Sequence, residues 1–113
     1  MKFFNPPPRK RAELERHLRS DDPAVVADSL VAMAFHEDDW RWAQDVCLDF
    51  LENGNPDLSG LAATCLGHLA RIHGRLDMEK VGPALTGRLN HPEIGGRVED
   101  ALNDIDMFLA RPS

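Results

Sequence analysis

The sequence predicts an all-α fold, a short right-handed stack of antiparallel helix pairs with about six helices. A polar residue followed by proline recurs at spacings of 33 and 36 residues, in Asp22-Pro23, Asn55-Pro56 and His91-Pro92. Such a polar residue can cap a helix, and proline fits the first helical position. Each interval has room for two helices and two short turns, which is the length of a helix-turn-helix solenoid repeat. No segment alternates apolar and polar residues as a half-buried strand would.

The helices can be placed in order from their periodicity and their end signals. The predicted helices cover about 8–19, 22–35, 38–53, 56–73, 77–90 and 92–110. Asn53-Gly54 and Gly74 are predicted to end the third and fourth helices, because glycine readily adopts the left-handed conformation that follows a helix. Gly82-Pro83 is predicted to bend the fifth helix, since proline removes a backbone donor and clashes with the preceding turn.

The fourth predicted helix has two packing faces. One face is apolar and consists of Leu58, Leu61, Ala62, Cys65, Leu69 and Ile72. The other face carries very small residues, namely Gly60, Ala63, Gly67 and Ala70. Glycine inside a helix costs about 1 kcal/mol relative to alanine, so we expect the small face to admit a neighbouring helix closely. The fourth helix is therefore predicted to be central and covered on both sides, with Gly67 at a close helix contact.

Length and composition indicate one globular domain. The chain has 113 residues, of which 42% are hydrophobic and 28% are charged. We expect a flexible proline-rich arm over 1–7 and a single helical domain over 8–113. No run approaches the roughly 20 apolar residues of a bilayer span, and the first residues lack the apolar core of a signal peptide. Two cysteines cannot form a disulfide framework, so we expect a cytoplasmic location, with Cys47 and Cys65 as buried small residues.

The net charge of −6 is distributed unevenly along the chain. Residues 1–20 sum to +4, residues 21–57 to −9 and residues 58–113 to −1. Such an acidic middle section repels nucleic acid and anionic membranes and attracts a basic partner. The sequence therefore predicts a basic protein partner, with neither nucleic acid nor membrane bound directly. The alternative is that these charges are solvated and only keep the protein soluble.

The third predicted helix divides into an apolar face and an acidic face. The residues expected in the core are Trp40, Ala43, Cys47, Phe50 and Leu51. The opposite face carries Asp38, Trp42, Asp45, Asp49 and Glu52. Like charges at these helical spacings repel, and a partner that supplies Lys or Arg would relieve the repulsion. Since tryptophan in the centre of a patch is a common hot-spot residue, we predict that this face binds the partner. The alternative is that Trp42 packs under the first helix and the acids are only solvated.

The sequence lacks the motifs that would indicate catalysis. It has no phosphate-binding glycine loop, no nucleophile elbow and no paired-cysteine metal spacing. The consecutive residues 36–39 (His-Glu-Asp-Asp) point about 100° apart on a helix and cannot converge on one ion. Cys65 and His68 would need two further ligands to bind zinc. We therefore expect a protein that is not an enzyme, with no catalytic, cofactor or metal site, and a packing role for His68.

Several segments carry a family resemblance. Four of these segments belong to the capped helices and the helices that follow them. They are Asn55-Pro56-Asp57-Leu58, residues 62–67, residues 81–89 and His91-Pro92-Glu93-Ile94. Two further stretches are residues 40–48 (WRWAQDVCL) and residues 66–74 (LGHLARIHG). Over about residues 20–110 the chain resembles HEAT-like repeats and is similar to a group of small bacterial HEAT-like proteins. Members of that group often resemble immunity proteins of secreted or contact-dependent toxin systems.

The resemblance implies a HEAT-like α-solenoid that serves as a protein-binding module. The preferred interpretation is an immunity protein that neutralises a basic toxin, such as a nuclease, by electrostatic steering and then occlusion. The alternative is a HEAT-like scaffold or adaptor, or an accessory domain of a nucleic-acid-processing system. A nucleic-acid role requires a basic cleft, and only Arg9-Lys10-Arg11 offers one. We expect these basic residues to pair with local acids instead.

Overall fold

The structure, a computed structural model, describes residues 9–109, and these residues form six α-helices without a strand. The helices are α1 (Arg11–Leu18), α2 (Pro23–His36), α3 (Trp40–Leu51), α4 (Pro56–His73), α5 (Met78–Thr86) and α6 (Gly95–Leu109). The predicted all-α stack is confirmed, and the predicted bounds of the fourth helix match those of α4. The predicted arm over 1–7 lies outside the described residues, so its boundary with the domain stays a prediction.

Two of the three Xaa-Pro pairs cap their helices as predicted. The side chain of Asp22 accepts a hydrogen bond from the backbone N–H of Ala24 at 3.0 Å, and Asn55 accepts one from Asp57 at 2.9 Å. Each bond satisfies an N–H group that has no partner within the helix. These two caps begin α2 and α4.

The predicted start of the sixth helix at 92 is wrong by three residues, since α6 begins at Gly95. The Nδ1 atom of His91 accepts hydrogen bonds from the backbone N–H groups of Glu93 and Ile94, at 3.1 and 3.3 Å. The imidazole therefore satisfies the donors of a turn. The helical bonds start after that turn, where the N–H of Gly95 donates to the carbonyl of His91 at 2.9 Å.

The fifth helix is shorter than predicted, because α5 ends at Thr86 and not at 90. Beyond it the chain continues in turns, in which the N–H of Arg88 donates to the carbonyl of Leu85 at 2.9 Å. Pro83 lies inside α5 and does not end it. By contrast, α4 ends at the predicted glycine, since Gly74 has a φ of 65° and donates its N–H to the carbonyl of Ala70.

The core is organised around α4, which packs against α2, α3 and α6. Its small face contacts a neighbouring helix closely, as predicted, and that helix is α6. A Cβ atom added at Gly67 would lie 3.5 Å from the Cα atom of Ala101 and 3.3 Å from Oδ2 of Asp104. The apolar face contacts α2 and α3, where the Sγ atom of Cys65 lies 3.7 Å from the carbonyl oxygen of Leu30. The prediction for Ile72 is wrong, since its side chain is 42% exposed at the end of the helix.

The core face of α3 differs in part from the prediction. Ala43, Cys47 and Leu51 are buried, whereas Trp40 and Phe50 are only half-buried at the edges of the helix. Gln44 is buried although it is polar, because its Oε1 atom accepts a hydrogen bond of 2.6 Å from the N–H of Asp77, the N-cap of α5.

The two cysteines are free and buried, as expected, and they contact each other. The hydrogen bond with Cys65, together with burial, raises the pKa of the Cys47 thiol. The Cys47 thiol therefore stays protonated at neutral pH, and both side chains are small, buried core residues. Among the described residues, no helix is long and apolar enough to cross a membrane.

Candidate protein-binding surface

The acidic residues predicted from the third helix lie on an exposed face. Asp45 and Asp49 are exposed within α3, Glu52 is its C-cap and Asp38 lies in the turn before it. We call these four acids, together with Trp42, the α3 acidic face. Asp45 makes one ion pair across to α5, with the Nζ atom of Lys80 at 3.6 Å. Both partners of this pair are more than half exposed, so the pair contributes little to stability.

Trp42 is half-buried, and it packs beside α1. The guanidinium of Arg11 lies over its indole ring, with the Cζ atom 3.8 Å from the ring centroid. A cation in this position is attracted by the negative face of the aromatic ring. The contact corresponds to the alternative packing considered for this side chain, whereas the four acids of the face remain exposed.

Arg11 is held over Trp42 by three carboxylates. Its guanidinium lies 3.4 Å from Glu15, 3.8 Å from Glu37 and 3.5 Å from Asp39. Asp39 is itself fixed as the N-cap of α3, where its side chain accepts a hydrogen bond from the N–H of Trp42. The network connects α1 to the start of α3 beside the indole ring.

A groove runs between α1 and α3 beside the indole ring, with a volume of about 360 Å³. Its lining residues are Leu18, Trp42, Val46 and Phe50 for the apolar part and Glu15, Arg19 and Asp49 for the charged part. We call it the α1–α3 groove. A half-buried apolar floor beside exposed charge is the arrangement found at the centre and rim of protein interfaces. The sequence indicates packing of Trp42 under the first helix only as an alternative, because the periodicity of α3 does not show which helix lies beside it.

The basic residues near the start of the chain pair with acids of this protein. Arg9 forms an ion pair with Asp28 and donates a hydrogen bond of 3.1 Å to the Oγ atom of Ser29. Arg11 is engaged by the carboxylates described above. Lys10 is exposed. Within residues 9–109, two of the three basic residues that could have formed a nucleic-acid cleft are therefore already neutralised.

His68 has a packing environment. Its ring lies 5.0 Å from that of Phe35, measured between centroids, and its Nδ1 atom lies 2.9 Å from Nη2 of Arg71. Burial lowers the pKa of His68, the charge of Arg71 lowers it further, and Asp104 opposes both effects. In the part of the chain that the structure describes, no group of three or more His, Cys, Asp or Glu residues could hold a metal ion.

The helical stack defines the class, a small all-α protein with an acidic helix face beside an amphipathic groove. No protein-family model and no curated protein matches the chain. A chain in the crystal structure of a CDI (contact-dependent inhibition) complex from Cupriavidus taiwanensis is 32% identical, with a TM-score of 0.85. The match covers 96% of this chain and 97% of that chain. The protein therefore belongs to the same family as that component of the CDI complex, and it resembles immunity proteins of contact-dependent toxin systems.

Proposed function

We propose that this protein is an immunity protein that binds a cognate toxin domain and neutralises it by occlusion. The observation that carries the proposal is the similarity over almost the whole chain to a component of a CDI complex. The match covers nearly all of both chains, so the relationship includes every helix that could contact a partner. In the proposed role, the protein acts in the cytoplasm by binding the toxin domain and not by catalysing a reaction.

The proposed toxin domain is basic, such as a nuclease. The four acids of the α3 acidic face are exposed on one helix and its two ends, in the section of the chain that carries a charge of −9. Complementary charge accelerates association and excludes wrong partners. A nuclease must attract a polyanion, so a polyanion-like protein surface is a suitable competitor for its substrate groove.

The α1–α3 groove supplies the apolar part of the proposed interface. Trp42 and Phe50 are half-buried there, and the guanidinium of Arg11 packs over the indole ring. A preorganised aromatic side chain loses little conformational entropy on binding. We propose that a side chain of the toxin enters this groove while its basic residues meet Asp45 and Asp49.

The accessory role in a nucleic-acid-processing system has less support. It needs a basic cleft, and Arg9 and Arg11 are paired with acids of α1, α2 and the turn before α3. A general scaffold or adaptor role would not require charge on one face of α3, and it leaves the similarity to a CDI component without an explanation.

The test is a charge-reversed variant, Asp45→Lys with Asp49→Lys, measured against the toxin domain encoded in the neighbouring reading frame. If the acids become desolvated against toxin cations, losing one costs about 2–5 kcal/mol of binding free energy, because a cation is left buried and unpaired. If they stay at the rim, association slows and depends strongly on salt. Circular dichroism checks that the variant is folded.

The matched control is Glu99→Lys with Asp100→Lys, which makes the same change of charge on an exposed part of α6. We expect the control to bind nearly as the natural protein does. A folded α3 variant with unaltered affinity and an unaltered association rate at low salt would show that the α3 acidic face is not the interface. If the natural protein does not bind the toxin domain, the immunity role is refuted.

A further inference from the structure

A second surface lies around the start of α5 and the end of α6, and it is apolar. Two adjoining depressions of about 250 and 360 Å³ share Met78 and Leu109 as lining residues. Leu102, Ile105 and Asp106 complete the first, and Trp40, Gly74, Arg75 and Leu76 complete the second. We call this surface the Met78 groove. Met78 lies between the two depressions, and it is 39% exposed although it is a large apolar residue.

The Met78 groove is distinct from the α3 acidic face. Trp40 lines the groove and Trp42 belongs to the acidic face, and two residues of a helix that are two positions apart are separated by about 200° around its axis. A partner that contacts Trp40 in the Met78 groove therefore leaves Trp42 and the α1–α3 groove accessible.

The two ends of the Met78 groove carry opposite charges. Asp106 lines the first depression, and Arg75 lines the second. Arg41 adds to the basic end, since its guanidinium lies 4.6 Å from the ring centroid of Trp40. Within residues 9–109, neither Arg75 nor Asp106 makes an ion pair. The surface thus has an apolar centre, one basic end and one acidic end, and the described residues pair with neither end.

Opposite charges at the two ends make this surface complementary to itself. In an interface with twofold symmetry the same patch meets its own copy with the two ends exchanged. The basic end of one copy then faces the acidic end of the other, and the apolar centres meet at the axis. Burial of the apolar centre supplies the attraction, and the charges set the register.

We propose that the Met78 groove is a homodimer interface, with a second copy of this chain as its occupant. Met78 of each copy lies near the twofold axis and packs into the groove of the other. Arg75 of each copy pairs with Asp106 of the other. Methionine suits this position, because its flexible thioether fills irregular apolar gaps. The dimer displays two α3 acidic faces, and its existence does not depend on the immunity role.

The experiment measures the mass of the purified full chain by sedimentation equilibrium over a range of concentrations. The natural chain is expected to rise from 12.6 kDa toward twice that mass as the concentration increases. Met78→Glu places a charge at the centre of the interface and is expected to weaken dimerisation by about tenfold or more. Circular dichroism checks its folding, and the exposed position of Met78 favours a folded variant.

Charge exchange gives a second and sharper test. Arg75→Glu alone and Asp106→Lys alone each bring like charges together across the axis, so each is expected to weaken the dimer. The double variant restores the opposite charges in exchanged positions and is expected to recover dimerisation. Asp100→Lys is the matched control, because it makes the same charge change on an exposed part of α6 outside the groove.

Three results would overturn the proposal. The first is a natural chain whose mass stays at 12.6 kDa up to a protein concentration of about 1 mM, because a specific dimer should form below that concentration. The second is a dimer that persists unchanged in both Met78→Glu and Arg75→Glu. The third is a monomeric protein in which Met78→Glu weakens toxin binding, because the groove would then belong to the toxin.

Discussion

The two consecutive helices α4 and α5 begin in the same way and differ in how they are covered. Each starts at a polar N-cap, since Asn55 accepts from the N–H of Asp57 at 2.9 Å and Asp77 from that of Glu79 at 3.2 Å. The helix α4 then runs for 18 residues, of which ten are buried. The helix α5 runs for nine residues, of which only Val81 and Leu85 are buried.

The difference teaches that a cap starts a helix, whereas burial on several sides fixes its structure. Along α4 the side chains meet α2, α3 and α6, so even its glycines at 60 and 67 lie close to α6. Along α5 the outer residues face solvent, and the chain leaves the helical pattern after Thr86 and passes into turns. The same kind of substitution, glycine to a larger residue, should therefore have a much larger effect in α4 than in α5.

The largest effect is expected for Gly67→Leu in α4. A Cβ atom alone would lie 3.3 Å from Oδ2 of Asp104 and 3.5 Å from the Cα atom of Ala101, so a leucine side chain has no room. Overpacking of this kind lowers the free energy of unfolding by about 1–3 kcal/mol. Urea denaturation measures the loss. An unchanged unfolding midpoint would mean that α4 and α6 are not packed closely at this point.

A much smaller effect is expected for Gly82→Ala in α5. Beyond the chain neighbours of this glycine, the described atom that a Cβ there would approach is the Cε atom of Met78, at an ordinary distance of 3.8 Å. Alanine is favoured over glycine inside a helix by about 1 kcal/mol, but the ring of Pro83 disfavours a Cβ atom on the helical residue before it. The two effects oppose each other, so the free energy of unfolding should change by less than about 1 kcal/mol. Thermal unfolding measures the change. A Gly82→Ala variant that is destabilised as much as Gly67→Leu would show that α5 is more enclosed at this position than its exposed outer residues indicate.

The same contrast explains which parts of the fold could be predicted. The bounds of α4 follow from a capping Asn-Pro pair, an apolar periodicity and a terminal glycine, all of which act locally. The end of α5 and the start of α6 could not be predicted as well, because residues 87–94 form turns whose bonds join neighbouring backbone groups and the ring of His91. Nothing in the apolar pattern distinguishes such turns from another turn of helix.

The candidate site was predictable where it depends on one helix alone. The spacing of acids along α3 predicts that they share an exposed face, and Asp45 and Asp49 are exposed. The position of Trp42 depends on α1, which lies far earlier in the chain. Its contact with Arg11 arises from tertiary packing, so helical periodicity could not reveal it. Whether the face binds a toxin is the question that the charge-reversal experiment answers.

The smallest effect is the pH-dependent contribution of His68 to stability. His68 of α4 lies against Phe35 of α2, on a side of α4 that is covered by another helix. Burial lowers the pKa of His68 below its usual value of 6.5, so the folded protein binds this proton less readily than the unfolded chain does. The contribution of His68 to stability is therefore fully present above pH about 6.5. It is lost as the pH falls from that value through the lower pKa of the folded state.

Urea denaturation of the natural protein and of His68→Gln at a series of pH values measures this contribution. Glutamine does not titrate and can still accept a hydrogen bond from Arg71. We expect the natural protein to lose more stability than the variant between neutral and mildly acidic pH, by a modest amount because the ring is only half-buried. The difference isolates His68 from the other histidines, which titrate in both proteins. If the stability of the two proteins depends on pH in the same way, the His68 ring binds a proton as easily in the folded protein as in the unfolded chain. The side of α4 that faces α2 would then be more hydrated than its packing indicates.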